Sequence, residues 1–202
     1  MSVSRGVAER VKRLKIGEPF LAGKFRDLGT QSAVNSALCR LVGLGEIERV
    51  VRGIYVRPRM HSILGKVSPS YIEVLNLIVK SSAETLQTHG VEAVRKFGLS
   101  TQMQVRPVFY TSGRSRKLEI GNLVIELRHA PKEWLQNSES LAGLAIVAMF
   151  YIGRGSLDKE QCLSIMKKMP SQELSKLVRA NMPAWMRVQC DFALKELLPL
   201  GV

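Results

Sequence analysis

Between Val7 and Arg59 the chain passes through a fixed order of signals: apolar residues at helical spacing, a glycine stop, a short second segment, a capped polar helix, and two basic strands closing on Gly53. Val7, Val11 and Leu14 form one face of a first helix, with Ser4 as its expected cap and Gly17 as its stop. Arg10, Lys12, Arg13 and Lys15 decorate the other faces and the C-terminal end, where cations suit the helix dipole. Phe20, Phe25 and Leu28 mark a short second helix closed by Gly29. Thr30 is a natural N-cap for a third helix reaching about Leu44, buried along Val34, Leu38 and Leu41, with Ala37 at the close approach. Ile47, Val51, Ile54 and Val56 are the apolar members of two strands that turn at Arg52-Gly53, where glycine accepts a positive φ. Helices in this order followed by a hairpin predict a winged helix-turn-helix over residues 1–60. That arrangement sets one helix in a DNA groove and a ribbon on the flanking phosphates.

The residue types fit such a surface. Thr30, Gln31, Ser32, Asn35 and Ser36 cluster near the start of the third helix. They are small or amide-bearing, short enough for a helix to sit deep in the major groove, and Gln and Asn can make paired hydrogen bonds to adenine. Arg49, Arg52, Arg57 and Arg59 are candidates for phosphate contacts from the wing, with Lys24 and Arg40 added from the helix flanks. Basic residues also protect an exposed hairpin edge from aggregation. That alternative accounts for charge but not for the uniform choice of arginine, whose planar fork grips phosphate in two places. Residues 1–66 hold 13 Lys/Arg against 5 Asp/Glu, while 67–202 hold 17 against 12, within a formal net charge of +13. Positive charge, which attracts polyanions, is thus densest where the helix-turn-helix signals lie. With about six of these cations on phosphates, affinity for duplex DNA should fall with salt at a log–log slope of roughly −5.

After a connector at 61–69, residues 70–202 read as a mixed α/β domain, so the fold class is α+β with a small sheet and a helical C-terminus. Tyr71, Val74, Leu75 and Ile78 fit an amphipathic helix; Thr85 to His89 fits a strand and Val91 to Phe97 a helix stopped by Gly98. Strands follow at Val105–Thr111 and Lys117–Arg128, punctuated by Ser112-Gly113 and Gly121-Asn122. Helices are expected at Ser138–Ile152, Asp158–Met169, Ser171–Asn181 and Pro183–Leu198, with Asp158 and Ser171 as caps and Pro183 at a first helical position. Arg114, Arg116, Lys117 and Arg128 make a second basic patch.

Other functions find little support. Cys39, Cys162 and Cys190 are too few and scattered for a disulfide framework or zinc site, and a reducing cytoplasm is the expected compartment. The longest apolar run, Leu141 to Ile152, is below the roughly 20 residues that span a bilayer and reads as a buried helix. His61, His89 and His129 stand alone, without HExxH, paired carboxylates or a phosphate-binding glycine loop, so no catalytic residue, metal or cofactor is expected. Thr111-Ser-Gly-Arg-Ser115 reads as a polar hairpin turn, and Trp134 and Trp185 as core or interface anchors.

The run Phe20…Phe25-Arg-Asp-Leu-Gly…Val34…Leu38-Cys-Arg-Leu41…Gly45-Glu-Ile-Glu-Arg49…Arg52-Gly-Ile-Tyr55…Pro58 resembles the winged-helix end of AbiEi-like antitoxins of bacterial type IV toxin–antitoxin systems. Gly98-Leu-Ser-Thr-Gln102, Phe109-Tyr-Thr-Ser-Gly113, Ile125 to Ala130 and Pro183-Ala-Trp-Met186 are similar to that family's second domain. The resemblance implies a repressor that binds repeats in its own promoter and counteracts a nucleotidyltransferase-like toxin without a cofactor; winged-helix regulators usually meet DNA as pairs on inverted or direct half-sites, so a homodimer on DNA is expected. The alternatives are a stand-alone regulator with no toxin, a protein-interaction module whose winged helix is only a scaffold, and, last, an enzyme acting on nucleic acid.

Overall fold

A computed structural model describes residues 2–63 and 65–197. It is an α+β protein that divides into two compact units, Met1–Glu84 with Leu118–Val124, and Thr85–Lys117 with Ile125–Val202.

The first unit opens with α1 (Val3–Lys12), which buries Val7 and Val11. Its cap is Ser2, whose side chain accepts from the Arg5 N–H; Ser4 lies inside the helix, and the helix ends at Arg13, ahead of Gly17. Phe20 is not helical either. It sits in β1 (Pro19–Leu21), and only Ala22–Leu28 coils, as a 3-10 helix closed at Gly29. The reason is a distant partner: Phe20 pairs in register with Tyr55, their rings stacked at 6.2 Å, while Phe25 meets Phe20 edge-on at 5.8 Å. α2 (Gln31–Gly43) follows as expected, with Thr30 Oγ1 accepting from the Ala33 N–H and Val34, Ala37, Leu38 and Leu41 buried. These four pack with Val7, Val11, Phe25, Ile47 and Tyr55 into one apolar core. β2 (Glu48–Val51) and β3 (Ile54–Val56) form the expected hairpin, turning at Gly53 with φ +82° and bulged between Arg49 and Val51. β3 is the central strand of a three-stranded antiparallel sheet ordered β1-β3-β2.

The segment from 61 to 69 is not a linker. Arg59–His61 (β4) and Gly65–Val67 (β5) make a second antiparallel hairpin, and α3 (Tyr71–Ser82), begun by a Ser70/Glu73 capping box, packs against β1. The units therefore divide at Glu84/Thr85, with Leu118–Val124 counted in the first, rather than at the expected connector 61–69.

β6 (Leu86–Thr88), β7 (Val108–Thr111), β8 (Arg116–Ile120) and β9 (Leu123–His129) form a four-stranded sheet in the order β6-β7-β9-β8, with β7 and β9 parallel; β6, β7 and Ile125–His129 of β9 belong to the second unit, while Leu118–Val124 is counted with the first. α4 (Gly90–Lys96) and α7 (Ser171–Arg179) pack on α5 (Leu141–Ile152), and α6 (Lys159–Met166) on α8 (Ala184–Leu197). α5 is apolar on all sides because Ala142 through Met149 are all buried. No described helix is long and apolar enough to cross a membrane. Asp158 caps α6 in a capping box with Gln161, whereas Pro170, not Ser171, precedes α7 and Pro183 sits one residue before α8. The expected end of the last helix at Leu198 lies outside the described residues. Tyr110, Trp134, Phe150 and Trp185 form a chain of ring contacts at 5.2, 5.1 and 6.2 Å, which gives both tryptophans a packing role.

Candidate nucleic-acid interface

The outward face of α2 carries Gln31, Ser32, Asn35 and Ser36, all exposed because the buried stripe occupies the opposite side of the helix. Gln31 Nε2 donates to Asn35 Oδ1 at 2.9 Å, one turn apart, so the two amides are held together while their remaining donors and acceptors face solvent. Cys39, one turn further on, continues this face and is exposed. It was legible from its i+4 spacing to Asn35, but a cysteine is more readily assigned to a core. Arg40 flanks the same face, and Lys24 projects from the 3-10 helix. That helix is stapled to α1 by Arg10, whose two terminal nitrogens reach Asp27 at 2.6 and 2.7 Å and whose Nη1 also meets the Lys24 carbonyl.

Arg49 lies opposite Tyr55 across the β2–β3 ladder, hence on the same sheet face as that ring, which belongs to the core shared with α2. Burial pushes the Tyr55 phenol pKa upward, against the opposing pull of Arg49 and with a smaller upward push from Cys39. Cys39 of α2 and Arg49 of β2 thus both act on this phenol. Arg52 is exposed at the hairpin turn. Lys24, Arg40, Arg49 and Arg52 make no ion pair or side-chain hydrogen bond among the described residues.

Two arginines expected in this surface are elsewhere. Arg57 Nη1 donates to the carbonyls of Lys12 and Leu14 at 2.8 and 2.6 Å, and the Arg57 carbonyl accepts from the Gly17 N–H. Its guanidinium closes the C-terminal end of α1, where orphan carbonyls attract a cation. Arg59 lies on β4, not on the β2–β3 hairpin, and lines a cleft of about 580 Å³ with Lys15 and Lys80. Replacing Arg57 with Ala should lower stability by about 1–3 kcal/mol, the loss of charge-assisted hydrogen bonds, which a thermal melt would register. It should leave the salt slope of DNA binding where it was.

The second basic patch is also reduced. Arg128 is paired with Glu126 through two contacts at 2.8 and 3.2 Å, and Arg116 donates to the Arg114 carbonyl at 3.1 Å. Arg114 and Lys117 remain exposed.

Each histidine has a structural task. His61 Nδ1 accepts from the Ile63 N–H, and His129 Nδ1 meets the Gly113 carbonyl. His89 is buried, caps α4 by accepting from the Val91 N–H, and lies 4.7 Å from the Tyr110 ring and 5.8 Å from that of Tyr151. Burial chiefly lowers its pKa, Arg128 lowers it further, and Glu126 opposes both. A folded-state pKa below the unfolded value means that acid protonates the unfolded chain first. Stability should therefore decline as pH falls below about 6.5. His89→Asn keeps a capping oxygen and removes the titration, so its urea midpoint should change less than the parent's between pH 7.5 and pH 5.5. No group of three or more described His, Cys, Asp or Glu side chains could hold a metal ion.

Fold and surface together define a two-unit α+β protein whose first unit carries unpartnered cations and a helix with an exposed polar face. The chain belongs to DUF6088, a family of unknown function, whose family model matches residues 6–177. Among solved structures it is similar to the RV2827C protein of Mycobacterium tuberculosis, with a TM-score of 0.40, 10% identity, and coverage of 94% of this chain and 80% of that one. A search of curated proteins gives no match.

Proposed function

We propose that the first unit is a winged helix that binds duplex DNA and that the protein is a cytoplasmic transcriptional repressor of antitoxin type. In this reading α2 enters the major groove, Gln31, Ser32, Asn35 and Ser36 meet base edges, and the β2–β3 hairpin is the wing. The observation that carries it is the pair Arg49 and Arg52, exposed and without partners on the hairpin of the same unit whose α2 exposes Gln31, Ser32, Asn35 and Ser36. Lys24 and Arg40 add phosphate contacts from the flanks. The helix face is built from small side chains, so its backbone can approach the bases, while the arginines supply the electrostatic attraction that such short side chains lack.

Removing Arg57 and Arg59 from the set changes the expected salt dependence. Four cations on phosphates give a log–log slope of about −3.5, shallower than the roughly −5 expected for six. Fluorescence anisotropy of the full chain on the DNA upstream of its own gene, titrated with salt, tests this. A flat response, or no binding at low salt, would end the proposal.

The resemblance to AbiEi-like antitoxins extends the reading to a second unit that counteracts a nucleotidyltransferase-like toxin. Val188 and Phe192, one turn apart and exposed on α8, give that unit an apolar strip suited to a protein partner. Co-purification with the product of the neighbouring gene tests this part separately, since a stand-alone regulator would bind DNA and retain no partner.

A further inference from the structure

We propose that the turn joining β7 to β8 is a phosphate-binding site, formed by Ser112, Arg114, Ser115 and His129. With Gly113 these residues line a shallow depression of about 450 Å³ within the second unit. The inference does not rest on the DNA-reading role of α2.

The chain builds this site by tying the turn down through its oxygens. The Thr85 N–H donates to Ser112 Oγ at 2.9 Å, and the His129 N–H donates to Ser115 Oγ at 2.8 Å. The Gly113 N–H is held by Thr111 Oγ1 at 3.0 Å, and the Arg114 carbonyl accepts from Arg116. His129 Nδ1 lies 2.9 Å from the Gly113 carbonyl. A carbonyl only accepts, so Nδ1 carries the proton and Nε2 is left for a ligand.

The consequence is a site dominated by donors. Both serine oxygens and the Gly113 and Arg114 carbonyls already accept hydrogen bonds, while the two hydroxyl protons have no acceptor among the described residues. The Arg114 guanidinium makes no ion pair there, and no carboxylate lines the depression. Apart from His129 Nε2, the groups left over are donors, which suit an anion rich in oxygen. A phosphomonoester monoanion fits this set: Arg114 can grip two of its oxygens, Ser112 and Ser115 can donate to them, and the protonated third oxygen can donate to Nε2. The depression exceeds the room a bare tetrahedral anion needs, which leaves space for the esterified group. The shared chemistry is a terminal phosphate, either on a free mononucleotide or at the 5′ end of a nucleic acid.

Backbone chemical shifts of the full chain should be followed while titrating inorganic phosphate, adenosine 5′-monophosphate, and a short single strand with either a 5′-phosphate or a 5′-hydroxyl. Shifts centred on residues 112–115 and 129 are expected. Preference for the phosphorylated strand over its hydroxyl form places the site at nucleic-acid ends, and equal response to the mononucleotide places it on free nucleotides; either supports the proposal. Arg114→Ala should weaken binding roughly tenfold or more, the loss of a bidentate charge-assisted contact. Arg114 is exposed, so this variant should retain the parent's melting temperature; His129→Asn, which keeps a donor toward the Gly113 carbonyl, is the second probe. The proposal is overturned if none of the ligands shifts these residues at millimolar concentration. It is equally overturned if Arg114→Ala binds as the parent does, or if the hydroxyl strand binds as well as the phosphorylated one.

Discussion

Arg49→Glu combined with Arg52→Glu should reduce affinity for operator DNA by about 100-fold or more at near-physiological salt and flatten the log–log slope by about 1.8, two phosphate contacts' worth. Both effects are large because reversal removes two attractions and adds two repulsions against a polyanion. The fold should tolerate the change. Both side chains are exposed and hold no partner, unlike Arg10 and Arg57, which tie α1 to its neighbours. Anisotropy across a salt series measures the slope, and the melting temperature confirms that the unit is intact. Retention of parental affinity would show that the hairpin is only a sheet edge protected by charge. The proposed association of the second unit with a protein partner should survive the same substitutions, so a paired pull-down separates the two proposed activities.

Gly143→Ala should be among the most damaging single substitutions in the second unit. A Cβ at position 143 would stand 2.1 Å from the Asn137 carbonyl oxygen and 2.6 Å from that of Gln136, both backbone atoms with nowhere to yield. The turn over Gly143 is itself fixed. Asn137 holds φ +50°, its carbonyl accepts from the Ser140 hydroxyl, and Ser140 Oγ caps α5 by accepting from the Gly143 N–H. Glu173 on α7 accepts from the next N–H, that of Ala142, so the start of α5 is gripped from two sides. Alanine favours a helix over glycine by about 1 kcal/mol, but overpacking of this kind costs about 3 kcal/mol or more, so the clash wins. A melting temperature lower by roughly 4–8 °C is expected for a protein of this size. An unchanged melt would mean that the turn can lift away from α5.

The first unit illustrates how far local signals reach. α2 was legible because its cap, its buried stripe and its polar face all lie within fourteen consecutive residues. The hairpin was legible because Gly53 supplies the positive φ that the turn requires and apolar residues alternate around it. Base-contact candidates Gln31, Ser32, Asn35 and Ser36 were therefore placed on the exposed face by helical period alone. Asp158 and the all-apolar α5 were legible in the second unit for the same reason.

What the sequence could not decide depends on partners far along the chain. Phe20 has helical spacing to its neighbours, yet Tyr55, 35 residues later, draws it into a strand. Arg57 and Arg59 sit among basic residues and read as phosphate ligands, but Arg57 is claimed by the carbonyls of Lys12 and Leu14, at and just past the end of α1, and Arg59 belongs to a second hairpin. The boundary was misplaced because the polar run at 61–69 looks like a connector until its strands pair. Residue types and period determined which side chains could meet an anion; only tertiary packing decided which of them are left free to do so, because a cation satisfied by its own protein has little to offer a ligand.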